Sequence, residues 1–296
     1  MHDFFFSKNI DPISKPTSLE EVVPPHTHVQ QKTLLEFSIP ERIPSVSTIM
    51  KCFVINLERA VERRETCQTL FAAAPALKMI LVEAVDGQTL ELPHPHYSDR
   101  GYRLCHGKTT NVNQVACYLS HLKAMRMFLE TDEEHAVIME DDVEFGPDLP
   151  ELINLALKAR PNIGCLRLAG RRQSKPIIKD QLNAQFQLGI DLTRQTGTGC
   201  YLLNRETAHH MLEKLPPMFL PIDHAFDRDW RWPGLTMRFI PFPAGQLGNP
   251  GTSFNADRKN DKLPFRYFTV FPFRAYNETR RFLHRLGKVL TTKKSF

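Results

Sequence analysis

Five short runs that are apolar at nearly every position constrain this chain more than any other feature: 52–57, 79–82, 136–139, 163–168 and 198–203. Successive side chains of a strand point to opposite faces, so such runs need cover on both sides. The intervening residues supply it. Ala60, Cys67, Leu70, Phe71 and Ala74 recur at helical spacing, as do Val115, Tyr118, Leu119, Leu122, Met125 and Leu129 within 114–130, and Leu149, Leu152, Ile153 and Ala156. A further helix fits 206–215. The pattern predicts an α/β fold, a mostly parallel central sheet flanked by helices.

The run Ala136-Val137-Ile138-Met139 stops abruptly at Glu140-Asp141-Asp142. In open α/β sheets ligands bind beyond the carboxyl ends of the strands, which is where these acids fall. Packed carboxylates repel one another unless a cation or hydrogen-bond donors compensate, and Mg²⁺ or Mn²⁺ takes oxygen ligands from protein and phosphate together. A metal–diphosphate is the simplest occupant. A solvated strand-to-loop turn, with Glu144 and Asp148 announcing the next helix, accounts for the same spacing.

Four motifs stand in order: Phe53-Val54-Ile55-Asn56-Leu57-x-Arg59 with Arg63-Arg64, Ala84-x-Asp86-Gly87, Ala116-Cys117-x-x-Ser120-His121, and Ile138-Met139-Glu140-Asp141-Asp142-Val143. In that order and spacing, over residues 51–223, the chain resembles glycosyltransferase family 25, which includes bacterial lipooligosaccharide galactosyltransferases and animal collagen galactosyltransferases. The resemblance implies a GT-A type fold and an inverting transfer of a hexose, often galactose, from a UDP-sugar donor. It also implies a divalent cation, Mn²⁺ or Mg²⁺, held by the acidic motif. One departure is Ala116, where the family often has glycine.

Against that resemblance, Asp142 and Glu140 are the expected metal ligands, and Glu140 with Asp141 the expected metal or ribose contacts. Asn56, Arg59, Arg63 and Arg64 follow the first strand, where guanidinium forks suit phosphate; an exposed helix face beside Glu62 and Glu65 is the alternative. Asp86 and Gly87 either approach the uridine or form only a tight turn. Ser120 and His121 lie beside the apolar stripe of their helix, so both can reach a crevice; His121 is either a catalytic-site contact to the diphosphate or the acceptor or a structural histidine. Gly197, Thr198 and Gly199 either admit substrate to the backbone or form a strained turn. An inverting transfer needs a base for the acceptor hydroxyl. Asp223, in the Pro-x-Asp that the family shows, is the expected base or acceptor contact, with Asp227 and Asp229 as alternatives. Trp230 and Trp232 are either a sugar platform or core.

The ends of the chain differ from its middle. Residues 1–48 are rich in Pro, Ser, Thr and His and read as a poorly ordered extension to a catalytic domain at 49–250. The segment 251–296 is aromatic and then basic: Phe268, Phe271, Phe273, Tyr276, Phe282, Leu283, Leu286 and Leu290 accompany Arg280, Arg281, Arg285, Lys288, Lys293 and Lys294. That composition predicts either a surface helix touching anionic lipid or a basic helix packed on the domain. No apolar run is long enough to span a bilayer, and Met1-His2-Asp3-Phe4-Phe5-Phe6 lacks the order of a secretory signal. The six cysteines show no metal spacing and read as reduced core residues. The expectation is therefore a cytoplasmic protein, peripheral on the inner membrane, and the resemblance implies that it acts on a lipid-linked saccharide of lipooligosaccharide biosynthesis. A net charge of +5 is too mild to indicate nucleic acid. Two rivals remain: a catalytically silent nucleotide- or glycan-binding module, and a protein-directed, collagen-type transferase.

Overall fold

The computed structural model describes residues 49–171, 174–246 and 263–293. The extension at 1–48 and the stretch 251–262 lie outside the described residues. Strand β1 (Met50–Asn56) leads through helix α1 (Val61–Ala73) to β2 (Leu77–Glu83), followed by α2 (Asp99–Cys105) and α3 (Val112–Leu129). Then come β3 (His135–Glu140), β4 (Val143–Phe145), α4 (Leu149–Ala159), β5 (Ile163–Arg167), β6 (Ile177–Gln181), β7 (Gln187–Ile190) and β8 (Cys200–Asn204). The chain continues through α5 (Arg205–Lys214), α6 (Ile222–Phe226), a 3-10 turn (Asp229–Arg231), β9 (Leu235–Ile240) and β10 (Ala244–Gln246) to the long α7 (Arg266–Thr291).

Eight strands form one sheet in the order β2-β1-β3-β8-β5-β9-β7-β6. The pairings β1–β2, β1–β3 and β5–β9 are parallel. Strand β8 is antiparallel to both β3 and β5, and β7 to both β9 and β6. Strands β2, β1, β3, β5, β9 and β6 therefore run one way and β8 and β7 the other, so the sheet is mostly parallel in strand direction, although the apolar run that forms β8 pairs antiparallel on both sides. The alternation is visible residue by residue. Cys52, Val54, Val137 and Met139 enter the core on one face with Phe71, Leu152 and Ile153; Phe53, Ile55, Ala136 and Ile138 enter the other with Leu122, Met125 and Phe128. Side-chain caps set several helix starts: Ser98 Oγ accepts from Gly101 N, Asn111 Oδ1 from Gln114 N, and Asn204 Oδ1 from Thr207 N.

Two features differ from the sequence reading. After the acidic triplet the chain forms β4, which pairs antiparallel with β10, rather than running directly to a helix start. The short strands β6, β7 and β9 complete the far side of the sheet; β6 is too polar and too brief to carry a periodic signal. The C-terminal segment is helical, and it docks on the rest of the chain through buried charge. Arg285 Nε donates to Asp229 Oδ2 at 2.8 Å and Nη2 to Asp227 Oδ1 at 2.9 Å, while Arg281 Nε lies 2.9 Å from Asp227 Oδ2. Burial opposes the charge of Arg285, yet Asp229 and Asp227 more than offset it and hold the guanidinium ionised. Two of the six cations expected to face lipid are therefore internal, and Lys294 lies outside the described residues.

Candidate active site

Strands β1 and β3 run parallel with Ile55 opposite Glu140, so their carboxyl ends bring Asn56 beside the acidic triplet. The three acids then diverge in role. Asp141 faces the β1–α1 turn: Asn56 Nδ2 donates to its Oδ2 at 2.8 Å and Arg63 Nη1 to its Oδ1 at 3.0 Å. Arg64 Nε donates to Asn56 Oδ1 and Arg64 Nη2 to the Glu58 carbonyl, so this arginine braces the same turn. Arg59 pairs with Asp86, whose Oδ1 also accepts from Gln88 N in a local turn.

Asp142 has no such partners. Its Oδ1 is buried without a hydrogen bond, and burial, then Glu140 and Asp141, push its carboxyl up to about 6 from an ordinary 3.8. Arg63 and Arg171 oppose the shift without cancelling it. Glu140 is partly exposed and lines a cleft of about 520 Å³. An orphaned carboxylate oxygen beside a second carboxylate is what an oxygen-liganded divalent cation compensates, so Glu140 and Asp142 fit such an ion.

Across the cleft, Asp223 sits in the first turn of α6, just after Pro221, where Oδ1 accepts from His224 N at 2.9 Å. Lys108, Arg171, Arg194 and Arg274 contribute to the same wall. None of these four cations was singled out by spacing, since each comes from a different loop or helix. Burial, followed by Arg194 and neighbouring cations, pushes His224 down to about 3, and burial with His224 does the same to His106. Both imidazoles are neutral at neutral pH, and His224 Nε2 can accept from Arg194 Nη2.

Gly197 turns the backbone at the cleft floor with φ of +94°, and a Cβ there would stand 2.9 Å from Arg171 N. Arg167 Nη1 donates to its carbonyl and so pins the turn from the core. Ser120 and His121 are both buried. Ser120 Oγ accepts from Val85 N and donates to the Ala116 carbonyl, tying the β2–α3 connection to the helix. His121 Nδ1 meets the Tyr201 hydroxyl at 2.9 Å, and its Nε2 lies 3.4 Å from Glu140 Oε1. Asp227 and Asp229, the alternative bases, are committed to Arg281 and Arg285 away from the cleft lining. Trp232 is buried against Phe226, and Trp230 stacks with Arg228. All six cysteines are free thiols; Cys117 lines the cleft, where an apolar-run reading placed it in the core.

The description "Glycosyltransferase family 25 (LPS biosynthesis protein)" matches residues 49–226, more than half of the 296 residues. The chain belongs to glycosyltransferase family 25. A glycosyltransferase 25 family member of Drosophila pseudoobscura pseudoobscura is 30% identical over 107 residues, 34% of this chain and 17% of that protein. Procollagen galactosyltransferase 1-A of Xenopus laevis is 29% identical over 116 residues, 36% of this chain and 18% of that protein. The chain thus spans less than a fifth of the length of these relatives. A solved glycosyltransferase involved in glycosylation of the major capsid of PBCV-1 has a TM-score of 0.36 and 11% identity, covering 68% of this chain and 94% of its own.

Proposed function

We propose that this family 25 glycosyltransferase moves a hexose, galactose first among candidates, from a UDP-sugar to a saccharide acceptor of lipopolysaccharide biosynthesis, with inversion. The observation that carries the reading is the buried Asp142 Oδ1, which has no hydrogen-bond donor, beside Glu140 at the carboxyl end of β3, where Glu140 lines a cleft together with Lys108, Arg171, Arg194 and Arg274. Glu140 and Asp142 would hold Mn²⁺ or Mg²⁺, which when bound supplies Lewis-acid neutralisation of charge on the departing diphosphate.

The remaining work falls to the chain's own groups. The four cations draw the diphosphate into the cleft and oppose the negative charge that grows as the anomeric C–O bond breaks. Asp223 accepts the acceptor hydroxyl proton as that oxygen forms the new bond to the anomeric carbon from the opposite face. Asn56, Arg63, Arg64 and Asp141 hold the β1–α1 turn in place, so their contribution is to geometry.

The outward face of α7 supports a lipid-linked acceptor. Tyr267, Phe268, Phe271, Tyr276, Phe282, Leu283 and Leu290 are all exposed there, beside Arg280. An anionic bilayer suits such a face, which fits a cytoplasmic protein peripheral on the inner membrane. The likeness to procollagen galactosyltransferases favours a second reading, transfer to hydroxylysine in protein. The discriminating experiment screens UDP-hexoses for acceptor-dependent UDP release, with Mn²⁺ or chelator, against lipooligosaccharide core and hydroxylysine peptides. Asp223→Asn is expected to lower kcat by roughly 10²–10⁴-fold with the donor KM little changed. Turnover indifferent to chelator and to Asp142→Asn sinks the metal reading.

A further inference from the structure

Glu140 faces a second set of groups that the transfer reaction does not use. His121 is 0% exposed, and its Nε2 is aimed at Glu140 with no hydrogen-bond partner. The 3.4 Å between Nε2 and Glu140 Oε1 is long for a charge-assisted hydrogen bond, which closes to about 2.7–2.9 Å. It suits two ligands of one ion: tetrahedral bonds of about 2.0–2.2 Å keep nitrogen and oxygen ligands roughly 3.4 Å apart. Cys117 precedes His121 by four residues on α3, which puts both on one helix face. One ligand atom from each of Cys117, His121 and Glu140 lies within 4.8 Å of the others.

We propose that Cys117, His121 and Glu140 form a binding site for a thiophilic divalent ion of the zinc class, with its fourth position open to the cleft. Sulfur and imidazole ligands select such an ion over Mg²⁺ or Mn²⁺, which prefer oxygen. In the tautomer that keeps its proton on Nδ1, His121 donates to Tyr201 Oη and turns the Nε2 lone pair toward the site, an outer contact usual for metal-bound histidine. Cys117 and Glu140 both line the cleft, so an ion has a path in. On binding, the thiol proton passes to solvent as the sulfur–metal bond forms, so affinity rises with pH. A further consequence rests on the proposed role of Glu140 toward the donor's cation: the two ions share that carboxylate, so a zinc-class ion inhibits transfer.

The test is titration of the reduced, chelator-stripped full-length protein with Co²⁺, a spectroscopic stand-in for Zn²⁺. We expect one equivalent to produce a near-ultraviolet thiolate-to-cobalt charge-transfer band and strong visible bands of tetrahedral coordination, both erased by Zn²⁺. Cys117→Ser and Cys117→Ala should each lose the thiolate band while melting cooperatively. Tyr201→Phe should keep the band and weaken Co²⁺ binding about 10–100-fold. Bound Co²⁺ without a thiolate band, or a band that survives both Cys117 variants, overturns the site. A band present with transfer unaffected by Zn²⁺ overturns only the shared use of Glu140, so failure of the site and failure of the transferase reading stay distinguishable.

Discussion

Removing the charge of Asp142 should stabilise the protein while disabling it. Burial and the adjacent Glu140 and Asp141 raise this carboxyl to about 6 from 3.8. The folded chain then binds the proton more tightly than the unfolded chain between those values. Stability attributable to this group accordingly falls as pH rises from about 3.8 to about 6, and the full penalty persists above that. A shift of about 2 units at ~1.4 kcal/mol each sets a ceiling of ~3 kcal/mol. Asp142 retains solvent contact, and screening reduces the figure to ~1–2 kcal/mol. In a domain of this size each kcal/mol moves Tm by about 2–4 °C. Asp142→Asn in chelator at neutral pH should therefore melt about 2–8 °C above the wild type, and the gap should close near pH 4. Adding Mn²⁺ should raise the wild-type Tm, because a ligand that binds only the native state stabilises it, and leave the variant unmoved. Thermal melts followed by circular dichroism, with and without Mn²⁺, measure both effects. A variant that melts at or below the wild type in chelator refutes the like-charge cluster, and equal stabilisation of both proteins by Mn²⁺ refutes Asp142 as a ligand.

Other perturbations probe the remaining structure. Arg285→Met strands Asp229 in the interior and leaves Asp227 to Arg281 alone; it should cost about 3–5 kcal/mol by urea denaturation, a loss largely recovered when Asp229 is also changed to Asn. Ser120→Ala removes the acceptor for Val85 N and should cost about 1–2 kcal/mol in the same assay, with the donor KM moved only as far as the β2–α3 connection shifts. Replacing Phe268, Phe271 and Leu283 with Asp should abolish co-sedimentation with phosphatidylglycerol vesicles while leaving transfer to a soluble acceptor intact; wild-type protein that does not sediment with these vesicles removes the bilayer from the account of α7.

The amino-acid sequence by itself determined the fold class and put the acidic triplet at the end of a buried strand. Runs such as Ala136-Val137-Ile138-Met139 can be buried only between two helical layers, and an acidic triplet ending such a run falls at the strand's carboxyl end whatever its partners do. Tertiary structure decided what each acid does. Asp141, Asp142 and Glu140 are adjacent in sequence, yet one is consumed by Asn56 and Arg63, one is left without donors, and one opens on the cleft beside His121. The difference arises because a chain changing direction at a strand end points successive side chains at different neighbours, and those neighbours come from up to 85 residues away. The same reason hid Arg171, Arg194 and Arg274, whose convergence on one cavity leaves no spacing in the sequence. It also divided the basic tail, because Arg281 and Arg285 face Asp227 and Asp229 while Arg280 and Phe282 face outward, a division set by helix rotation against a partner and not by composition.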